Sequence, residues 1–286
     1  MKIGSLCTGY GGLDLAAEEF FNAHTIWASD TDKSASSVIQ QRFAIPNLGD
    51  LKKIDWATVE PIDIMTAGYP CQPFSHAGER KGLEDERHIW PYIKQAISIL
   101  RPQFVILENV RGHLTLGFDL VLGDLAQIGY DAKWALVRAS EVGAPHKRER
   151  LFVIAHSNSD AHQKSRRANR SVHGTSEQII NGSDWHEYGC SCQIAGNAHD
   201  EHQSHNRKVS KLGRRLTPRC KMHMQDAPNA LDQDGKLSSV FVEYMMGLPK
   251  GWITDAGLSR AQELKMLGNG VVPQQALYAL ELLSDE

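Results

Sequence analysis

What this chain lacks narrows its class before any motif is considered. Cysteine is scarce, with five in 286 residues, and they stand at the scattered positions Cys7, Cys71, Cys190, Cys192 and Cys220. An odd, dispersed set gives no disulfide framework and leaves room for a working thiol. Long apolar runs are missing: a stretch such as 151–155 is one strand in length, far below the roughly 18 residues of a membrane span. No signal peptide is recognisable, because Lys2 leads into a short apolar run, then Gly9, Gly11 and Gly12, then acidic Asp14, Glu18 and Glu19. The chain is therefore expected to be cytoplasmic, with no membrane partner. Charge of one sign is also lacking, since 31 Lys and Arg face 34 Asp and Glu for a net -3, which on average argues against a nucleic-acid partner. With 41% hydrophobic residues the chain can bury a substantial core, so disorder and collagen-like repeats are excluded as global descriptions. No internal repeat is present.

The average charge conceals a partition. Residues 1–156 carry 16 basic and 19 acidic residues, 157–236 carry 12 and 9, and 237–286 carry 3 and 6, so the net charges are -3, +3 and -3. The middle stretch also holds seven of the thirteen histidines and three of the five cysteines, with basic runs at 164–170 and 214–215. Little apolar periodicity is found there, which predicts a polar, loop-rich insertion; a solvated surface linker is its plain alternative. The first stretch alternates strand-like and helix-like patterns: strands at 3–6, 25–28, 62–67, 104–107, 134–137 and 151–154, and helices including 89–100 and 116–128. A last helix follows Pro273, with Ala276, Leu277, Ala279, Leu280 and Leu283 in phase. Such alternation predicts an α/β fold with a doubly wound, mostly parallel, Rossmann-like sheet whose ligand sites lie at the strands' carboxyl ends.

Four clusters carry chemistry. Thr8-Gly9-Tyr10-Gly11-Gly12 follows the first strand, where glycines let the backbone approach a ligand; a tight turn with no ligand is the alternative. Asp30, at the end of the second strand, is placed to bond ribose hydroxyls, and Asp50 could accept from an adenine amino group. No Lys-Ser/Thr follows the glycines, so a phosphate-binding P-loop is excluded and a nucleoside without a phosphate chain fits better. Gly68-Tyr69-Pro70-Cys71-Gln72-Pro73-Phe74-Ser75 then places a thiol on a proline-restrained loop at a strand end, as a nucleophile requires. Glu108-Asn109-Val110 sets a carboxyl at the end of a buried strand, where burial raises its pKa toward that of a general acid. Arg148 and Arg150 flank Glu149 before strand 151–154, and their alternate spacing points both to one side, toward a base carbonyl or a phosphate.

In this order, and with Gly268-Asn269-Gly270-Val271-Val272-Pro273 near the end, the clusters resemble the cytosine-C5 DNA methyltransferase family over residues 1–156 and about 237–286. The resemblance implies S-adenosylmethionine as cofactor, S-adenosylhomocysteine as product, and no metal. It makes Cys71 the nucleophile on C6 of a flipped-out cytosine, with Pro70 beside it and Asn109 bracing that loop. Glu108 would hold the N3 and amino edge and Arg150 the O2 carbonyl, with Arg148 nearby. Cofactor contacts would come from Cys7, Thr8, Gly9, Gly11, Gly12, Asp30, Thr31, Asp50, Leu51, Gly68, Asn269 and Val271. Loop 75–89 would close over the base.

The same resemblance divides the chain into a catalytic and cofactor domain, 1–156 plus about 259–286, and an inserted target-recognition domain, about 157–258, whose basic residues face duplex DNA. A monomer is expected, bacterial or phage-encoded, with or without a cognate restriction endonuclease. Three features depart from the family's pattern: Ser5 and Cys7 replace an acidic and an aromatic residue, Asp30-Thr31 replaces a Glu-aromatic pair, and Gly270 replaces a serine. Cys190-x-Cys192, the histidines at 199, 202 and 205 and Cys220 suggest zinc, but the Cys gap is shorter than usual, so polar loops are expected instead. An RNA cytosine-C5 methyltransferase would share the Cys71 and Glu108 chemistry, although the sizeable insertion favours reading of duplex DNA; a non-catalytic DNA-binding member would be expected to lack Cys71, Glu108 or Arg150, and all three are present.

Overall fold

The computed structural model describes residues 1–70, 89–158 and 227–284. Six strands, β1 (Lys2–Leu6), β2 (His24–Ser29), β3 (Ile64–Gly68), β4 (Phe104–Val110), β5 (Tyr130–Arg138) and β6 (Glu149–Ser157), form one sheet in the order β2-β1-β3-β4-β6-β5. The first four run parallel, and β6 is antiparallel to both β4 and β5. The expected mostly parallel, doubly wound sheet is therefore present. The reversal of β6 matters for the site, because it brings the start of β6 to the carboxyl ends of the parallel strands.

The α-helices of the described residues are α1 (Gly12–Phe21), α2 (Lys33–Arg42), α3 (Trp90–Leu100), α4 (Phe118–Gln127), α5 (Ser239–Met245), α6 (Arg260–Asn269) and α7 (Pro273–Ser284). Their ends follow local chemistry. Asp32 caps α2 by accepting from the backbone N–H groups of Ser34 and Ala35, and Ser259 with Gln262 forms a reciprocal capping box on α6. None of these helices is long and apolar enough to cross a membrane.

Alternation along the strands builds two cores. Ile3, Ile64, Phe104, Ile106, Phe152 and Ile154 pack on one face with Leu13, Ala16, Ala276 and Leu280 of α1 and α7. Leu6, Met65, Ala67, Val105, Leu107, Leu151 and Val153 pack on the other with Ile93, Ile97 and Leu125 of α3 and α4. Each large apolar side chain buried this way contributes about 1.5–3 kcal/mol, which offsets the cost of burying carboxyls such as Glu108 and Asp14.

One sequence expectation is corrected. Strand β4 runs three residues past the expected 104–107, so Glu108 sits inside the sheet, opposite Gly68 on one side and Phe152 on the other. Polar Glu108 and Asn109 end the apolar pattern without ending the backbone ladder. Residues 239–258 belong to the same core as the first strands: Met246, Leu248, Trp252, Ile253 and Ala256 are buried in it. Buried Glu243 accepts from the N–H groups of Gly251, Ile253 and Thr254, and Trp252 Nε1 donates to the Tyr10 carbonyl. Short polar stretches separate these apolar residues in the sequence, which masked their membership. The rest of the expected insertion, 159–226, lies outside the described residues, as do its Cys and His candidates and most of loop 75–89.

Candidate active site

Residues of one parity on each strand share a face, and along the α1/α7 face the sheet grades from apolar to polar. Ile3 precedes Ser5 on β1, Ile64 precedes Thr66 and Gly68 on β3, and Phe104 and Ile106 precede Glu108 on β4. On reversed β6, Ile154 and Phe152 lead back to Arg150, which pairs in register with Val110, diagonal to Glu108. The polar row opens into a cleft of about 990 Å³ at the carboxyl ends of the parallel strands, lined among others by Cys7, Thr8, Asp14, Asp30, Glu108, Arg150 and Val271.

Glu108 is 8% exposed and its Oε1 lies 3.0 Å from Arg150 Nε. Burial pushes its pKa up to about 7, against the partly opposing pull of Arg150 and Arg148. This carboxyl can therefore hold or release a proton near neutrality while it stays fixed by a cation. A Cβ at Gly68 would stand 3.6 Å from Glu108 Oε2, so a longer side chain there would crowd the acid. Asn109 is 3% exposed; its Nδ2 donates to the Tyr69 carbonyl at 3.3 Å and its Oδ1 accepts from Val110 N–H. It thus holds the segment ending at Pro70. Cys71 lies outside the described residues.

A second layer was not foreseen. Tyr69 is buried, and its hydroxyl lies 2.8 Å from His113 Nε2, while His113 Nδ1 meets the Leu116 carbonyl at 3.0 Å. A carbonyl only accepts, so Nδ1 carries the proton, and in the neutral ring Nε2 accepts from the phenol. Trp90 packs on Tyr69 from α3. His113 stands among Arg111, Gly112 and Leu114 with no periodic signal that could have marked it.

At the other end of the cleft, Asp30 ties two loops together: its Oδ2 accepts from Gly9 N–H and its Oδ1 from Asp32 N–H, each at 2.8 Å. Burial raises its pKa, and each oxygen keeps a lone pair for a ligand hydroxyl. Thr31 is exposed beside it, Asp50 is half-buried and Leu51 buried, all lining the cleft. Cys7 has a left-handed backbone, φ 52°, and its N–H donates to the Ser29 carbonyl. Burial, with Asp30 adding to it, pushes its thiol far up, so Cys7 remains a neutral lining group.

The expected glycines divide by role. Gly9 lines the cleft, and a Cβ on it would meet nothing within 4 Å. A Cβ on Gly12 would reach 2.1 Å from the Val271 carbonyl, so this glycine permits the first and last motifs to touch. Gly11, expected as a ligand contact, lies outside the lining; with φ 81° it starts α1, and a Cβ there would strike the Phe43 ring.

Arg148 requires a second correction. The strand begins at Glu149, so the alternate-position geometry that carries Arg150 into the cleft does not extend to Arg148, whose φ is 27°. Its Nη2 instead donates to the carbonyls of Gly268 and Gly270, at 2.9 and 2.5 Å. Tyr10 O–H donates to the Val271 carbonyl at 2.7 Å. Together they seat the segment that presents exposed Asn269 and buried Val271 to the cleft. Gly270 also becomes intelligible: a Cβ at that position would penetrate the Tyr10 ring.

The cleft's chemistry fits a nucleoside carrying an amino-acid chain: carboxylates for hydroxyl and amino groups, apolar Leu51 and Val271, and open backbone at Gly9. Among the described residues no group of three or more His, Cys, Asp and Glu is placed to hold a metal ion.

Comparison with known proteins gives the same direction. The family model for C-5 cytosine-specific DNA methylase matches residues 1–178. The Type II methyltransferase M.NgoBI of Neisseria gonorrhoeae is 34% identical over 161 residues, which cover 54% of this chain and 50% of that protein. The Type II methyltransferase M.HhaI of Haemophilus parahaemolyticus is 30% identical over 163 residues, covering 55% and 50%. The chain spans about half the length of the curated relatives it matches. Two solved structures share the fold: a variant of Spodoptera frugiperda DNMT2, with TM-score 0.61 at 18% identity over 99% of each chain, and the Entamoeba histolytica methyltransferase EhMeth, with TM-score 0.62 at 15% identity over 100% of this chain and 98% of that one.

Proposed function

This chain belongs to the C-5 cytosine-specific DNA methylase family, and from that premise we propose that it methylates C5 of cytosine in duplex DNA through a covalent adduct on Cys71. The observation that carries the reading is the buried Glu108–Arg150 pair at 3.0 Å, beside the Tyr69–Pro70 segment that Asn109 holds. Such a pair presents a proton-carrying acid and a fixed guanidinium to one small planar ligand, which is what the N3 and O2 edge of cytosine requires.

The bound cofactor, S-adenosylmethionine, supplies an electrophilic methyl group and leaves as S-adenosylhomocysteine. C5 of cytosine is a poor nucleophile, so Cys71 adds its thiolate to C6. The displaced electron pair moves into the ring toward O2 and N3, where Arg150 stabilises the oxygen and Glu108 supplies a proton to N3. C5 then forms its bond to the methyl carbon. Loss of the C5 proton to water, return of the N3 proton to Glu108 and departure of the Cys71 thiolate restore the aromatic ring and the enzyme. Because these atoms are inside the stack of a duplex, the cytosine must rotate out to reach them. Asp30 and Thr31 would face the ribose, Asp50 and Leu51 the adenine, and Cys7, Thr8, Gly9, Gly12, Gly68, Asn269 and Val271 the remaining wall; Gly11 and Arg148 support that wall from behind. The basic stretch within 157–236 would face the phosphates and bases as a target-recognition domain. A monomer in the cytoplasm, alone or beside a cognate endonuclease, would suffice for this chemistry.

Incubation with S-adenosylmethionine tritiated on its methyl group is expected to label duplex DNA of mixed sequence as 5-methylcytosine, and Cys71→Ala is expected to abolish the label. Labelling of RNA but not of duplex DNA would overturn the substrate, and a Cys71→Ala protein that still methylates would overturn the mechanism.

A further inference from the structure

Among the described residues, one buried carboxyl lining the cleft has no task in this scheme. Asp14 stands in the first turn of α1, is 1% exposed, and borders the cleft with Ser5 and Thr66. Thr66 Oγ1 donates to its Oδ1, and Ser5 hydrogen-bonds the same side chain. Ser5 and Thr66 pair across β1 and β3, so three elements converge on one carboxylate.

Both of those partners are neutral hydroxyls. The only charge acting on Asp14 among the described residues is that of Glu18, of like sign, and burial outweighs the hydrogen bonds, holding the pKa up to about 6. Near neutrality the group is therefore an ionised carboxylate, buried without a cation, at the edge of a ligand cleft. A buried charge is stable only when paired. Glu108, on the same polar row, has its cation in Arg150, whereas Asp14 has none among the described residues. The position relative to the other groups identifies the missing one. On the cofactor reading Asp30 and Asp50 take the nucleoside end of the cleft and Glu108 the reacting end, which leaves the amino-acid chain for the part of the lining that Ser5, Thr66 and Asp14 form.

We propose that Asp14, positioned by Ser5 and Thr66, binds the α-ammonium group of the cofactor's amino-acid chain. This rests on the cofactor reading above. In the sequence pattern that this chain resembles, an acidic residue stands where Ser5 stands here; Asp14 returns a carboxyl to hydrogen-bonding reach of that position from the facing helix.

The test uses the full chain and two probes, S-adenosylhomocysteine and its analogue with the α-amino group replaced by hydrogen, each titrated by calorimetry. The unaltered protein is expected to favour the amino-bearing probe. D14N should weaken that probe by about tenfold or more, the scale of a lost charge-assisted hydrogen bond, and leave the desamino analogue nearly unchanged. T66V, which keeps the carboxyl but removes one of its supports, should show the same selectivity at about threefold. Equal losses for both probes, or none, would mean that Asp14 only supports the fold. If the unaltered protein binds neither probe, the cofactor reading itself falls, and this inference with it.

Discussion

Glu108 on β4 and Asp14 on α1, the helix that covers the same face of the sheet, are two buried carboxyls with different partners. Glu108 has Arg150 3.0 Å away, and the chain itself completes the pair. Asp14 has two hydroxyls and a like-charged neighbour. Burial raises both pKa values, to about 7 and about 6, but only the first is opposed by a fixed cation. The difference separates a group built to exchange a proton from a group left to be paired by whatever enters the cleft.

The largest effect expected from disturbing this contrast lies on the Glu108 side. Glu108→Gln keeps the shape and removes the exchangeable proton, so the methylation kcat/KM should fall by about a thousandfold, in the range typical of a lost acid or oxyanion donor. On the proposed mechanism the protonated acid is the working form, so the rate should decline as pH rises through about 7. Arg150 holds the pKa down. Arg150→Met should therefore lower the rate and move that decline to higher pH, and a decline that stays in place would separate Glu108 from the pH profile.

A smaller effect is expected on the Asp14 side, and it concerns stability. Its folded pKa of about 6 exceeds the ordinary value of 3.8, so between those limits the folded state binds more protons than the unfolded chain. Stability then falls as pH rises from about 4 to about 6 and stays reduced above that, by at most about 3 kcal/mol for a shift of this size. Asp14→Asn removes the penalty. Without ligand it should melt about 3–6 °C above the unaltered protein at pH 8, with the gap closing below pH 4. A variant that melts lower at pH 8 would show that the carboxylate is already paired.

Some of this was legible in the sequence for physical reasons that also explain the rest. Buried parallel strands give continuous apolar runs, so β1, β3 and β4 were visible, and the structure sets Asn109 and Arg150 in the lining of the cleft. The reversal of β6 was not legible, because an apolar run carries no direction, and it is this reversal that delivers Arg150 to Glu108. Arg148 was misplaced because alternation was extended past the first residue of the strand. Helix α5 is short, and α6 carries polar residues such as Gln262 and Lys265 toward the cleft, which weakens their periodicity. Asp14 passed as an ordinary acidic residue in the first turn of a helix; only the hydroxyls of Ser5 and Thr66, 52 residues apart from it in the second case, reveal its burial. The departure at Gly270 finds its cause in the Tyr10 ring, a contact between the two ends of the chain that no local pattern contains.

The central claim, that Cys71 bonds C6 of cytosine while Glu108 and Arg150 hold the ring, is tested most directly by trapping the adduct. Duplex DNA in which 5-fluorocytosine replaces cytosine cannot lose a proton from C5, so elimination of the thiolate is blocked after methyl transfer. With S-adenosylmethionine present, the protein is expected to run as a complex resistant to denaturant, with the DNA attached to the peptide that contains Cys71, and Cys71→Ala should yield none. Attachment through a different residue, or efficient methylation of ordinary cytosine by the Cys71→Ala protein, would contradict the account.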